Sequence, residues 1–399
     1  MSELRLDSSS FIVHRSSFIV HRSSFIAHRS SFIARMFSVI VHTPDVVGDR
    51  MAGPGIRAWH IARELSKHFD TTLIAKAEGI ERGGVTFIEH GTDAARAAMR
   101  DASVLIGQPA RGFRKRRPGQ RMIYDLFDPT VLELRELYGS TPSFRQRIHL
   151  TAEWWRLAEA LMRADLLICA ARKQRRFYEA LQSGSAPWIE VPFGIDPADA
   201  KSCPKPQDDI VVWGGGVWEW LDPATAVDAI VRLNGDGIRA KLLFLGRTRP
   251  NQDLVDRRRD DRFDALLRRA GPYVSANDQW VPYDERLSWL RSGKIAIMLH
   301  RRTAEAQYSI RTRLFDAIAA GIPVVATRGG FAAELVEQEG LGIVVAPGDV
   351  AGVAKAIRTL LMDDRIHSIC VDNLQRIRPR FTWEEVTRPL VRAVADLRP

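Results

Sequence analysis

From Met36 onward the chain alternates short, unbroken apolar runs with segments of helical spacing, and no other feature narrows its fold so far. Runs at Ser38–Val41, Thr72–Ala75, Val85–Ile88, Val104–Ile106, Met122–Tyr124 and Leu166–Cys169 read as strands buried on both faces. Helical segments such as Arg57–His68 and Phe144–Arg163 separate several of them. A second series follows at Ile210–Trp213, Lys241–Leu245, Ile295–Leu299, Pro323–Ala326 and Gly342–Val345. Its spacers have helical period at Pro223–Leu233, Arg262–Arg269, Arg313–Ala320, Ala332–Glu337 and Val350–Met362. This alternation implies parallel sheets joined by right-handed crossovers. A length of 399 residues suits two such domains. The stretch Gly194–Asp209, with Pro197, Pro204 and Pro206, is the best linker between them. The expected fold class is therefore α/β, with two doubly wound, Rossmann-like domains facing each other across a cleft at the strands' C-terminal ends.

The first thirty-five residues do not belong to this pattern. SSFIVHR at Ser9–Arg15 recurs at Ser16–Arg22, then as SSFIAHR at Ser23–Arg29 and SSFIAR at Ser30–Arg35. The apolar trio is contiguous in each unit, so no a/d seam forms, and arginines interrupt it too often for a signal peptide. A solvated, dispensable low-complexity tail is expected, with Met36 as the natural start of the folded chain. Three distant cysteines, Cys169, Cys203 and Cys370, exclude a disulfide framework or cysteine zinc site and suit a reducing cytosol. No apolar run approaches the ~18 residues of a membrane span. The net charge of +10, from 58 basic and 48 acidic residues, favours anionic partners without choosing among them.

Each half carries a glycine-rich turn near its first strand. In the first, Gly53-Pro54-Gly55-Ile56-Arg57 leads into a helix whose free N–H groups could receive an anion, yet nearly ten residues separate it from the end of its strand. A dinucleotide fingerprint needs an immediate turn, so a structural role is at least as well supported there. In the second half, Val211-Val212-Trp213 runs into Gly214-Gly215-Gly216, and Asp222-Pro223 has the form of an N-cap and N1 pair. Close approach of a ligand to the backbone explains three successive glycines. Trp218 and Trp220 would either stack on that ligand or pack under the next helix. The segment His300–Gly321 follows a buried strand and ends in a helix closed by Gly321. Thr312 would cap that helix, leaving Arg311 and Arg313 at its positive end, a cost of roughly 0.3–1 kcal/mol each that an anionic ligand would reverse. Asp316, one turn in, could accept hydrogen bonds from ribose hydroxyls; pairing with Arg313 is the bland alternative.

The run Thr312–Gly321 into Pro323-Val324-Val325-Ala326-Thr327, with Ala333-Glu334-Leu335-Val336 and Gly340-Leu341-Gly342, resembles the donor-binding half of family 4-type retaining glycosyltransferases. The likeness extends to Trp213–Pro223, to Trp280–Arg286 and to Tyr124–Pro129. It implies a GT-B fold. The expected divisions are the repeat at 1–35, an acceptor-side domain at 36–200, a donor-binding domain at 201–382, and a final helical stretch at 383–399 packing back on the first domain. It also implies a nucleotide-sugar donor, no metal ion and no bound cofactor.

Departures from the family pattern shape the expected site. Two glutamates eight residues apart are usual before A-x-x-x-G; here those positions are Tyr308 and Asp316, and Glu305 is the candidate to serve the donor sugar. A lysine usual after the glycine turn is absent, leaving Arg311 and Arg247 as diphosphate ligands beside Gly214, Gly215, Gly216 and Trp218, with His300 and Arg313 completing the donor side. A histidine usual after the strand ending at Tyr124 is replaced by Asp125 and Asp128, which are catalytic candidates or helix caps. Gly53, Gly55 and Arg57 are the acceptor-side candidates. The basic runs Arg114–Arg117 and Arg172–Arg176 read as solvated surface, or as contacts with an anionic membrane or a lipid-phosphate acceptor. The expectation is a cytoplasmic, hexosyltransferase-like enzyme of polysaccharide biosynthesis, peripheral at the inner membrane face, acting on a saccharide or lipid-linked acceptor. No nucleic-acid motif is present. The rivals are a nucleotide-sugar epimerase of the same fold, a non-catalytic sugar-nucleotide-binding protein, and a nicotinamide dehydrogenase resting on Gly53-Pro54-Gly55 alone.

Overall fold

The structure, a computed structural model, describes residues 37–78, 84–115, 117–196, 209–246 and 257–397, with backbone alone at 257–260. The repeat at 1–35 and Arg247 lie outside the described residues.

The first half runs β1 (Ser38–Gly48), α1 (Gly53–Ser66), β2 (Asp70–Glu78), β3 (Thr86–Glu89), α2 (Asp93–Asp101), β4 (Val104–Gly107) and β5 (Arg121–Asp125). It continues with α3 (Thr130–Tyr138), α4 (Phe144–Arg163), β6 (Leu166–Cys169), α5 (Arg172–Glu179) and β7 (Trp188–Glu190). The second half begins β8 (Ile210–Trp213), α6 (Pro223–Gly235), β9 (Lys241–Phe244), α7 (Arg257–Ala270), β10 (Val274–Ala276), α8 (Arg286–Arg291) and β11 (Ile295–Met298). It ends α9 (Ala304–Tyr308), α10 (Thr312–Ala320), β12 (Val324–Thr327), α11 (Gly330–Glu339), β13 (Gly342–Val345), α12 (Val350–Met362), α13 (Asp364–Ile377) and α14 (Trp383–Asp396).

The seven-stranded sheet has the order β3-β2-β1-β4-β5-β6-β7 and the six-stranded sheet β10-β9-β8-β11-β12-β13. Every strand pair in both is parallel. In each sheet the order reverses beside the first strand, between β1 and β4 and between β8 and β11. Chain direction diverges there, so the loops at the strand ends part and leave a crevice.

Two differences from the sequence reading matter for the site. The strand read as ending near Val41 continues to Gly48 after an irregularity between His42 and Val46, so only four residues separate it from the turn at Gly53. Helix α10 begins at Thr312 with Arg311 as its N-cap, and no side chain caps it. Asp222 does cap α6 by accepting from the Thr225 N–H, and Gly321 closes α10 in the left-handed conformation.

The two halves pack on a shared apolar cluster that includes Phe127 and Phe193 from the first and Phe315, Phe381 and Trp383 from the second. Helix α14 lies against α1: Trp383 stacks on His60 with ring centroids 4.6 Å apart and planes 10° from parallel. A Cβ on Gly194 would stand 2.4 Å from the Trp383 ring, so only glycine lets the chain pass there.

Candidate active site

The crevice between the halves is a cavity of about 660 Å³. Helix α1 enters it from one side and α10 from the other, each by its N-terminus, and neither first turn has a side-chain cap. The first N–H groups of a helix have no intrahelical partner, and the end carries partial positive charge. These two ends nearly touch, since a Cβ on Gly53 would lie 3.3 Å from Thr312 Cγ2.

The wall contributed by the second half is built from the turn after β8. Gly215 has φ of +69°, which a side chain would strain, and a Cβ on Gly216 would meet the Trp280 ring at 3.0 Å. The glycines thus let Trp280 and Arg313 close over the turn. Arg313 donates from Nη2 to the Gly216 carbonyl, and its guanidinium lies 5.3 Å from the centre of the Trp213 ring. Among the described residues Arg313 forms no salt bridge, and its Nη1 is buried with no hydrogen-bond partner. Burial, then the nearby Arg311 charge, lowers its pKa to about 9. Trp218 and Trp220 stack on each other at 5.3 Å with planes 6° apart, and both line the cavity, so the ligand-facing and packing readings combine.

The other sequence candidates divide sharply. Arg311 also reaches the cavity, but Nη1 and Nη2 each donate at 2.7 Å to the two Glu305 carboxylate oxygens. Glu305 is fully buried behind it, so the pair is a structural unit rather than a sugar ligand plus a free cation. That corrects the expected role of Glu305. Asp316 faces the cavity and accepts from Arg286 Nε at 3.2 Å, not from Arg313; burial raises its pKa against that arginine's pull. His300 is buried, with its N–H on Thr327 Oγ1 and its Nδ1 near the Arg301 carbonyl, and it does not line the cavity.

In the first half, Arg57 and Asp125 form a buried bidentate pair with contacts of 2.7 and 3.0 Å. Arg57 also donates to the carbonyls of Val191 and Pro192, tying β5 to the strand-end segment after β7. Neither residue lines this cavity, but both line a small pocket that shares Pro54, Gln108 and Phe127 with it. Gly55 is structural, because a Cβ there would sit 2.2 Å from the Val46 carbonyl, and it lets α1 press on β1.

Asp128 does line the cavity, and it does not cap the next helix: α3 has Pro129 as N-cap with no side-chain bond. It accepts from Gln108 Nε2 at 3.2 Å. Burial and the neighbouring Asp45 push its carboxyl up to about 8. Burial and Asp128 likewise hold Glu133, on α3, well above the ordinary carboxylate range. Sequence reasoning missed Asp45, Gln108, Glu133, Tyr283, Trp280 and Arg286, all cavity-lining. The resemblance did span Trp280 to Arg286, which was the available signal for the last three. Among the described residues no group of three or more His, Cys, Asp or Glu is placed to hold a metal ion.

The basic runs are partly neutralised. Lys115 pairs with Asp165, Lys173 with Glu334 and Arg175 with Glu179. No helix among the described residues is long and apolar enough to cross a membrane.

Residues 209–363 match the family described as glycosyl transferases group 1. No curated protein matches the sequence. Solved structures similar to the chain include sucrose-phosphate synthase from Thermosynechococcus elongatus, at 15% identity and TM-score 0.66, covering 90% of this chain and 99% of that one. HepE of Anabaena in complex with UDP-glucose is similar at 15% identity and TM-score 0.68, over 90% of this chain and 100% of that one. An E. coli trehalose-6-phosphate protein bound with UDP-2-fluoro glucose matches at 13% identity and TM-score 0.60, over 90% and 99%. The two parallel-sheet domains and these likenesses establish the GT-B fold.

Proposed function

We propose that this chain, whose residues 209–363 carry the group 1 glycosyltransferase match, moves a hexose from a nucleotide-sugar donor to a hydroxyl of a saccharide or lipid-linked acceptor. The observation that carries the reading is the meeting of two uncapped helix N-termini, at Gly53 and Thr312, beside Arg313 and the glycine turn. Such a place suits a diphosphate. Asp316, one turn into α10, is within reach of a ribose attached to it, and the tryptophans at 218, 220 and 280 offer flat apolar faces.

The reaction follows from these positions. As the bond from the anomeric carbon to the leaving phosphate oxygen breaks, negative charge grows on the diphosphate. Preorganised N–H groups and Arg313 stabilise it there, the arrangement worth most in a dry site. We read the transfer as family 4-like, with retention and no metal ion: the acceptor oxygen bonds to the anomeric carbon, and its proton leaves to the departing phosphate. Asp128 carries a proton at neutral pH, because burial holds its pKa near 8. It would orient the acceptor by donating a hydrogen bond. A cytoplasmic place in polysaccharide synthesis is part of the same reading.

Calorimetry against UDP, GDP and ADP, followed by turnover of the matching glucose nucleotides, tests the proposal. UDP comes first because the HepE structure holds UDP-glucose. Failure to bind any nucleoside diphosphate would overturn it.

A further inference from the structure

Helix α4 carries an apolar face that nothing among the described residues covers. Phe144 is 77% exposed, Ile148 54%, Trp155 73% and Met162 52%, values unusual for four large apolar side chains on one helix. At about 100° per residue they fall within an arc of roughly 40°, a stripe about 27 Å long. The opposite face carries buried Leu157, Ala160 and Leu161, so the helix is anchored in the first half while the stripe points outward. Ser143 and Gln146 form a capping box that fixes its start.

Charge frames the stripe. Arg145, Arg147 and Arg163 are exposed on its flanks, and the helix's two acids, Glu153 and Glu159, are paired with Arg156 and Arg163. His149, Glu153 and Arg156, roughly 80–180° round the same helix from the stripe, line the cavity.

We infer that α4 docks this face on an anionic lipid bilayer surface, with Phe144, Ile148, Trp155 and Met162 entering the interface and Arg145, Arg147 and Arg163 meeting the head groups. Apolar aromatic and aliphatic groups on one face with arginines beside them are what a helix lying in a bilayer interface needs. A protein partner would not call for the unbalanced positive flank. The same helix carries both the docking face and three cavity-lining residues, so docking would hold the site close to a lipid-borne acceptor. That last consequence rests on the function proposed above; the docking itself does not.

The full chain is to be co-sedimented with vesicles of phosphatidylcholine alone and of phosphatidylcholine mixed with phosphatidylglycerol. The wild type binds the mixed vesicles, less so at high salt, and Phe144→Ser/Trp155→Ser lowers that binding by ~10-fold or more. Arg145→Glu/Arg147→Glu does the same without touching apolar packing, and it decides the matter should the serine variant fold poorly. Wild-type indifference to the mixed vesicles overturns the inference. So does wild-type-like binding by both variants, which would move lipid binding elsewhere, for instance to the repeat at 9–35. Light scattering on the same samples exposes the other occupant: a wild-type dimer that the serine variant dissolves, with no vesicle binding, makes the stripe a self-interface and overturns it too. UDP binding measured in parallel keeps the two proposals apart, since vesicle binding without UDP binding would sink only the function.

Discussion

Gly53 and Thr312 oppose each other across the cleft, so that a Cβ on the first would lie 3.3 Å from Cγ2 of the second. Each begins a helix in a different half of the chain, and the gap between them is too small for any added side chain to share with a ligand. Gly53→Ala should therefore weaken UDP binding by about tenfold or more, some 1.4 kcal/mol, with only a small fall in melting temperature, as Thr312 gives way to the added Cβ. Calorimetry showing undiminished affinity would separate the two helix ends from the ligand site.

Arg313 is the cation to remove. Arg313→Ala should reduce nucleoside-diphosphate affinity by about 1.5–3 kcal/mol, the range for a charge-assisted hydrogen bond. Binding isotherms of wild type and variant at a single pH measure the loss.

The buried pairs should report on stability instead. Asp125→Asn leaves the buried Arg57 charge without its carboxylate, and Glu305→Gln does the same to Arg311. Each should cost about 3–5 kcal/mol, as for a buried pair broken on one side. Chemical denaturation measures that loss. A catalytic role for Asp125 would appear as lost turnover at unchanged stability.

Asp128 behaves in the opposite way. Its folded pKa, about 8, lies above the ordinary 3.8, so the folded state holds a proton that the unfolded state has released between those values. Stability contributed by this group falls as pH rises across that window. Asp128→Asn should flatten the slope and raise the melting temperature near pH 8. Because the asparagine amide can still donate the orienting hydrogen bond, turnover should survive in Asp128→Asn and be lost in Asp128→Leu.

What could be read in the sequence was what neighbouring residues decide. Asp222 before Pro223, Gly321 after α10 and the apolar runs of β4, β6 and β12 are local signals, and the structure has them. Strands β7 and β10 were missed because three residues at a sheet edge show too little periodicity. The end of β1 was missed because Pro44 and Asp45 interrupt its apolar pattern. Arg57 and Asp125 are 68 positions apart, so their pairing has no local signature. Arg311 and Glu305 are only six apart, yet a ligand at the helix N-terminus and an internal partner satisfy the same charge equally well on paper. Only the burial of Glu305 separates those options.

The path by which the chain leaves and re-enters its first half also matters. Ile195 and Thr382 form a parallel bridge, with the Ile195 N–H on the Phe381 carbonyl at 2.7 Å and the Trp383 N–H on the Ile195 carbonyl at 3.1 Å. Everything between them is thus an excursion whose two ends are stitched at one point. For protein engineering this makes the second half a cassette: a related half spliced in at these adjacent ends would inherit the same pivot, leaving α14 and the first half intact. Under the function proposed above, specificity for the sugar nucleotide would then be exchanged as a unit.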